Sequence, residues 1–129
     1  MDTEGAARAW VYAVLYPQAE PSEVNNDGRS FHEVLQSGVL LCKLLNRISP
    51  GMIHRIKETD KAWDCIENIG NYTKACEKLG VVPTFDTPDL YENKNMRVVA
   101  QNIYSLARMA RSKRFAGPLL AAPVYTMPV

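Results

Sequence analysis

Cysteine is scarce in this 129-residue chain, which has three, and no two of them form a CxxC pair. Cys42, Cys65 and Cys76 each sit among apolar residues in a helical pattern. Cys65 and Cys76 would lie roughly 16 Å apart along one helix, too far to join. A disulfide framework is therefore not expected, and the thiols read as reduced, small core hydrophobes. The two histidines, His32 and His54, have no cysteine or second histidine at ligand spacing, so neither metal nor cofactor is expected. No apolar run nears the roughly 18 residues that span a bilayer, which argues against membrane insertion. The opening MDTEGAARAW lacks the basic-then-apolar plan of a signal peptide, and the expected location is cytoplasmic. Neither sign of charge dominates: 15 Lys and Arg against 14 Asp and Glu leave a net charge of +1. No overall field marks a nucleic-acid binder. A Gly-rich phosphate loop is missing, and neither histidine has a nucleophile or carboxylate relay beside it, so catalysis has no support.

What is present is an ordinary globular balance, 47% hydrophobic and 22% charged, enough for one domain. The stretch SFHEVLQSGVLLCKLLN from Ser30 to Asn46 carries most of the signal. Ser30 and Glu33 form a capping box. Phe31, Val34, Leu35, Gly38, Leu41, Cys42 and Leu45 then recur at three- and four-residue steps. Val39, Leu40 and Leu44 widen that stripe, so one long helix is expected here, covered on more than one side.

Before it, Asp2 or Thr3 caps a helix carrying Trp10, Val11, Val14 and Leu15, which Pro17 ends; a turn-rich loop runs on to Arg29. After it, Ser49 to Gly51 closes the central helix and Met52 to Glu58 has no clear period. Thr59 or Asp60 caps a further helix with Ala62, Ile66, Ile69, Thr73, Cys76 and Leu79 facing the core, and Gly80 terminates it. Thr87-Pro88 starts a brief helical turn through Leu90 and Tyr91. Asn93 or Asn95 starts a last helix with the stripe Met96, Val99, Ala100, Ile103, Leu106, Ala107 and Ala110. The reading is all-α: four main helices with short connectors, a domain over 1–115 and a Pro-rich tail or linker over 116–129.

Four segments resemble a calponin homology domain, of the single-copy kind found in calponin, transgelin and the IQGAP scaffolds. They are Arg8-Ala9-Trp10-Val11, the SGVLLCKLLN core from Ser37 to Asn46, AWDCIENI from Ala62 to Ile69, and Asp89-Leu90-Tyr91-Glu92 followed by Asn95-Met96. Together they cover about Ala6 to Arg111. Ser37 stands where the family commonly has an acidic residue. The resemblance implies the compact calponin homology fold and a non-catalytic cytoskeletal interaction module. Tandem pairs are the family's usual strong actin-binding unit, whereas lone domains of this type bind actin weakly or not at all. F-actin is accordingly the first expected partner. Microtubules or tubulin come second, and a signalling protein bound by a scaffold domain third.

The residues expected to meet such a partner are basic, since both polymers are acidic. Arg47, Arg55, Lys57 and Lys61, with His54, form one cluster; Arg108, Arg111, Lys113 and Arg114 form the other. Trp10, Phe31, Leu35, Gly38, Leu41, Cys42, Leu45, Trp63, Ile66, Ile69, Cys76, Leu90 and Ile103 are expected in the core. Glu67-Asn68 reads as a pair fixing a neighbouring loop. Asp86, Asp89 and Glu92 lack the glycine and ligand regularity of a calcium loop. Leu119 and Leu120 are candidates to dock the tail.

Overall fold

A computed structural model describes residues 3–18 and 28–120. Among these residues there are six helices and no strand: α1 (Thr3–Leu15), α2 (Phe31–Leu35), α3 (Val39–Ile48), α4 (Ala62–Lys78), α5 (Thr87–Tyr91) and α6 (Met96–Ser112). Four are long, while α2 and α5 are five-residue connectors.

Ser30 caps α2 as its sequence demands. Its hydroxyl accepts the Glu33 N–H at 3.1 Å and the Glu33 carboxylate accepts the Ser30 N–H at 2.9 Å. The expected continuous helix from Phe31 to Asn46 is broken into α2 and α3 at Gln36-Ser37-Gly38. Gly38 takes φ of 77°, in the left-handed region where a glycine carries no steric penalty. A Cβ there would also stand 2.8 Å from the Asn68 Cβ. The chain turns at Gly38 so that α3 can lie flush on α4.

Helix α3 is the centre of the fold, with Leu41, Cys42, Leu44 and Leu45 fully buried. It packs between α1 and α4, α6 packs on α1, and α5 bridges α4 and α6. Each fully buried leucine contributes about 2 kcal/mol of transfer free energy. The Tyr72 hydroxyl, buried with α4, donates to the Asn102 side chain at 2.6 Å, and Asn102 donates onward to the Pro83 carbonyl at 2.8 Å. Gly80, at φ of 75°, ends α4 in the expected left-handed turn. Asn95 caps α6, accepting the Val98 N–H at 3.3 Å.

Trp10, Phe31, Leu35, Gly38, Leu41, Cys42, Leu45, Ile69, Cys76, Leu90 and Ile103 are buried. Trp63 and Ile66 are not, contrary to expectation. Trp63 is 80% exposed and Ile66 42%. The inward arc of α4 is Cys65, Asn68, Ile69, Tyr72, Ala75 and Cys76, and at about 100° per residue this puts Trp63 on the opposite side of the helix.

Beyond α6 the chain returns to α1, where the Trp10 indole N–H donates to the Pro118 carbonyl at 2.9 Å. Leu120 is partly buried against the core, whereas Leu119 is exposed. The rest of the expected tail, 121–129, and most of the turn-rich loop, 19–27, lie outside the described residues.

Candidate interaction surface

The chain between α3 and α4 has no regular structure, yet two asparagines fix it. Asn46, near the end of α3, accepts the Ile53 N–H at 2.8 Å and donates to the Ile53 carbonyl at 2.9 Å. Asn68, buried on α4, does the same to Lys57: it accepts the N–H at 3.0 Å and donates to the carbonyl at 2.8 Å. Its amide also donates to the Ser37 carbonyl at 3.0 Å. Each side chain thus stands in for a neighbouring backbone strand and satisfies groups that burial would otherwise strand. His54 and Arg55, between the two pinned residues, are exposed.

This pinning decides the fate of the first basic cluster. Lys57 is half-buried, with its ammonium 3.1 Å from Glu67 and 3.6 Å from Asp64, so its charge is engaged within the domain. Asp64 also accepts the Thr59 hydroxyl at 2.7 Å. That bond, more than Lys57, holds the Asp64 carboxyl below its usual range. Thr59 is therefore a brace before α4, whose N-cap residue is Lys61. Arg47 lies apart, beside a cavity of about 390 Å³ lined also by Leu15, Tyr16, Lys43, Asn46 and Ile56. Lys43 there pairs with Glu58 at 2.8 Å.

Arg55 and His54 instead face α4, together with Asn71, Lys74 and Lys78, around a second cavity of about 260 Å³. The sequence reading missed Lys74 and Lys78; their signal was two cations one turn apart on a solvent-facing arc. In the second cluster, Arg108 donates to the Ser105 hydroxyl on its own helix at 2.9 Å. Arg111, Lys113 and Arg114 are exposed at the end of α6. The acidic trio divides differently: Asp89 accepts the Asp86 N–H at 2.9 Å as a cap of α5. No group of histidine, cysteine and carboxylate residues among those described could hold a metal ion. Burial pushes the Cys42 thiol up to about 12, which keeps it protonated and unreactive.

The outward face of α4 thus carries an exposed tryptophan and isoleucine near its start and free cations near its end. Gly70, between them, has open space where a Cβ would be. That face combines an exposed aromatic side chain with exposed positive charge. Among the described residues no helix is long and apolar enough to cross a membrane.

Comparison with known proteins agrees with this architecture. The family model for the calponin homology (CH) domain matches residues 1–112. Over 109 residues the chain is 42% identical to Rac guanine nucleotide exchange factor B of Dictyostelium discoideum, covering 83% of this chain and 9% of that protein. It is 34% identical over 123 residues to Muscle-specific protein 20 of Drosophila melanogaster, covering 93% of this chain and 62% of the relative. It therefore spans less than two thirds of either relative. Two solved structures share the fold. The calponin-homology domain of Rng2 from Schizosaccharomyces pombe superposes with a TM-score of 0.72 at 20% identity, covering 98% of this chain and 77% of that one. The calponin-homology domain of an IQGAP protein from the same yeast gives 0.69 at 21% identity, with the same coverage.

Proposed function

The chain belongs to the calponin homology family, and from that premise we propose that it is a non-catalytic cytoskeletal interaction module. Its first partner is F-actin, bound weakly, so that the domain localises the protein carrying it to actin filaments. The observation that carries this reading is Trp63, held 80% exposed on a well-packed helix. Water around an exposed indole is released when a partner covers it, and tryptophan is among the commonest binding hot spots. Lys61, two residues away, and the exposed Arg108, Arg111, Lys113 and Arg114 supply positive charge toward an acidic polymer.

The test is pelleting with F-actin and, in parallel, with taxol-stabilised microtubules. Pelleting with actin alone supports the reading, and pelleting with microtubules alone replaces the partner. Charge reversal at Arg108, Arg111 and Lys113 then locates the site; unchanged pelleting would remove the α6 cluster from it.

A second reading has its own support. The 42% identity to part of a Rac guanine nucleotide exchange factor favours a scaffold domain that binds a signalling protein and neither polymer. Failure to pellet with either polymer would make this reading the leading one.

A further inference from the structure

The cavity beside α4 brings together four basic side chains from two directions. His54 and Arg55 come from the pinned segment, and Lys74 and Lys78 come from α4, with Asn71 also lining the cavity. Among the described residues none of the four is paired with a carboxylate. Lys74 and Lys78 stand one turn apart, so their like charges repel. The backbone that carries these exposed side chains is fixed before any ligand arrives. Ile53 and Lys57, on either side of His54 and Arg55, are each clamped by an asparagine, and α4 is a packed helix. Rigid placement reduces the ordering cost of binding.

A single carboxylate brings one negative charge and would leave most of this positive charge uncompensated. A phosphate monoester brings close to two, on three strong acceptor oxygens. The planar fork of Arg55 matches those oxygens, and the lysine ammoniums pair with them as point charges. Met52, Ile53 and Ala75 add apolar surface to the lining.

The geometry points to a binding site for a compact, multiply phosphorylated ligand in the cavity of His54, Arg55, Asn71, Lys74 and Lys78. Soluble inositol phosphates and phosphoinositide headgroups share that chemistry. This inference does not rest on the filament reading.

Calorimetric titration with inositol hexakisphosphate tests it, alongside pelleting with phosphatidylcholine vesicles that carry either a phosphatidylinositol bisphosphate or phosphatidylserine at matched charge. The wild-type domain binds inositol hexakisphosphate, and the Lys74→Gln/Lys78→Gln variant loses about tenfold or more in affinity. Arg97→Gln, an exposed cation elsewhere, leaves it unchanged. Circular dichroism confirms that both variants fold. Pelleting with the bisphosphate vesicles but not with phosphatidylserine makes the source a lipid headgroup; binding of the soluble ligand alone makes it a free phosphate. Three results would overturn the proposal: no binding, equal loss in Arg97→Gln, or competition by polyglutamate as effective as by inositol hexakisphosphate. Filament pelleting by the same double variant separates the two readings, since retained pelleting leaves the filament reading standing whatever the titration shows.

Discussion

The Asn68 side chain closes on the backbone of Lys57 from both sides, accepting its N–H at 3.0 Å and donating to its carbonyl at 2.8 Å. With the further bond to the Ser37 carbonyl, one amide ties the Gly38 turn, the segment before α4 and α4 itself together. Asn68→Ala would leave three backbone groups without their partner. It is expected to cost on the order of 3 kcal/mol in urea unfolding. A loss below about 1 kcal/mol would mean that water replaces the amide.

Gly38→Ala attacks the same junction through shape. The new Cβ must share space with the Asn68 Cβ at 2.8 Å and the Ile69 backbone nitrogen at 3.0 Å, at a positive φ of 77°. The expected destabilisation is about 2 kcal/mol or more, read as a lower urea midpoint.

The three cysteines are free and buried, and burial raises the thiol of Cys42 to about 12 and that of Cys76 above its ordinary value. In the native domain at about pH 8, a thiol reagent is expected to find almost no thiolate on either residue. Reaction should follow only on unfolding. Rapid labelling of Cys42 or Cys76 in the folded protein would contradict the packing of α3 on α4.

Two carboxyls, one on the exposed Glu33 and one on the half-buried Asp64, set an acid limit. Glu33 is held below its ordinary 4.5 chiefly by the Ser30 backbone N–H, then by its hydroxyl. Asp64 is held below 3.8 chiefly by the Thr59 hydroxyl. Both release their protons more readily in the folded chain than in the unfolded one. Their contribution is therefore complete above those ordinary values and is lost as pH falls through the lower folded ones. The urea midpoint of Glu33→Gln/Asp64→Asn is expected to fall less steeply than wild type below about pH 4.5. Parallel curves would show that neither bond matters.

The parts of the fold legible in sequence are those built from local chemistry. The Ser30–Glu33 box, Gly80 after α4 and an asparagine cap before α6, which spacing leaves between Asn93 and Asn95, each act within a few residues. The break at Gly38 was not legible, because the atoms that exclude a side chain there belong to Asn68 and Ile69, some thirty residues on. Trp63 was misplaced for a related reason. The inward arc of α4 includes a polar residue, Asn68, whose amide is satisfied only by distant backbone, so counting apolar residues rotated the stripe toward Ile66. The basic cavity escaped because cations were grouped by nearness in sequence. Packing instead joins His54 and Arg55 to Lys74 and Lys78, and the same packing turns Lys57 inward to Glu67 and Asp64.

The most direct test is F-actin cosedimentation of the wild-type domain and Trp63→Ala at about 50 and 200 mM salt. An exposed side chain can be removed with little change in stability, about 0.5 kcal/mol or less, so the variant reports on contact alone. The expected result is wild-type pelleting that weakens at the higher salt and falls at least several-fold on loss of Trp63, with an unchanged urea midpoint. Pelleting by Trp63→Ala equal to wild type would contradict the assignment of the outer face of α4 as the filament-binding surface.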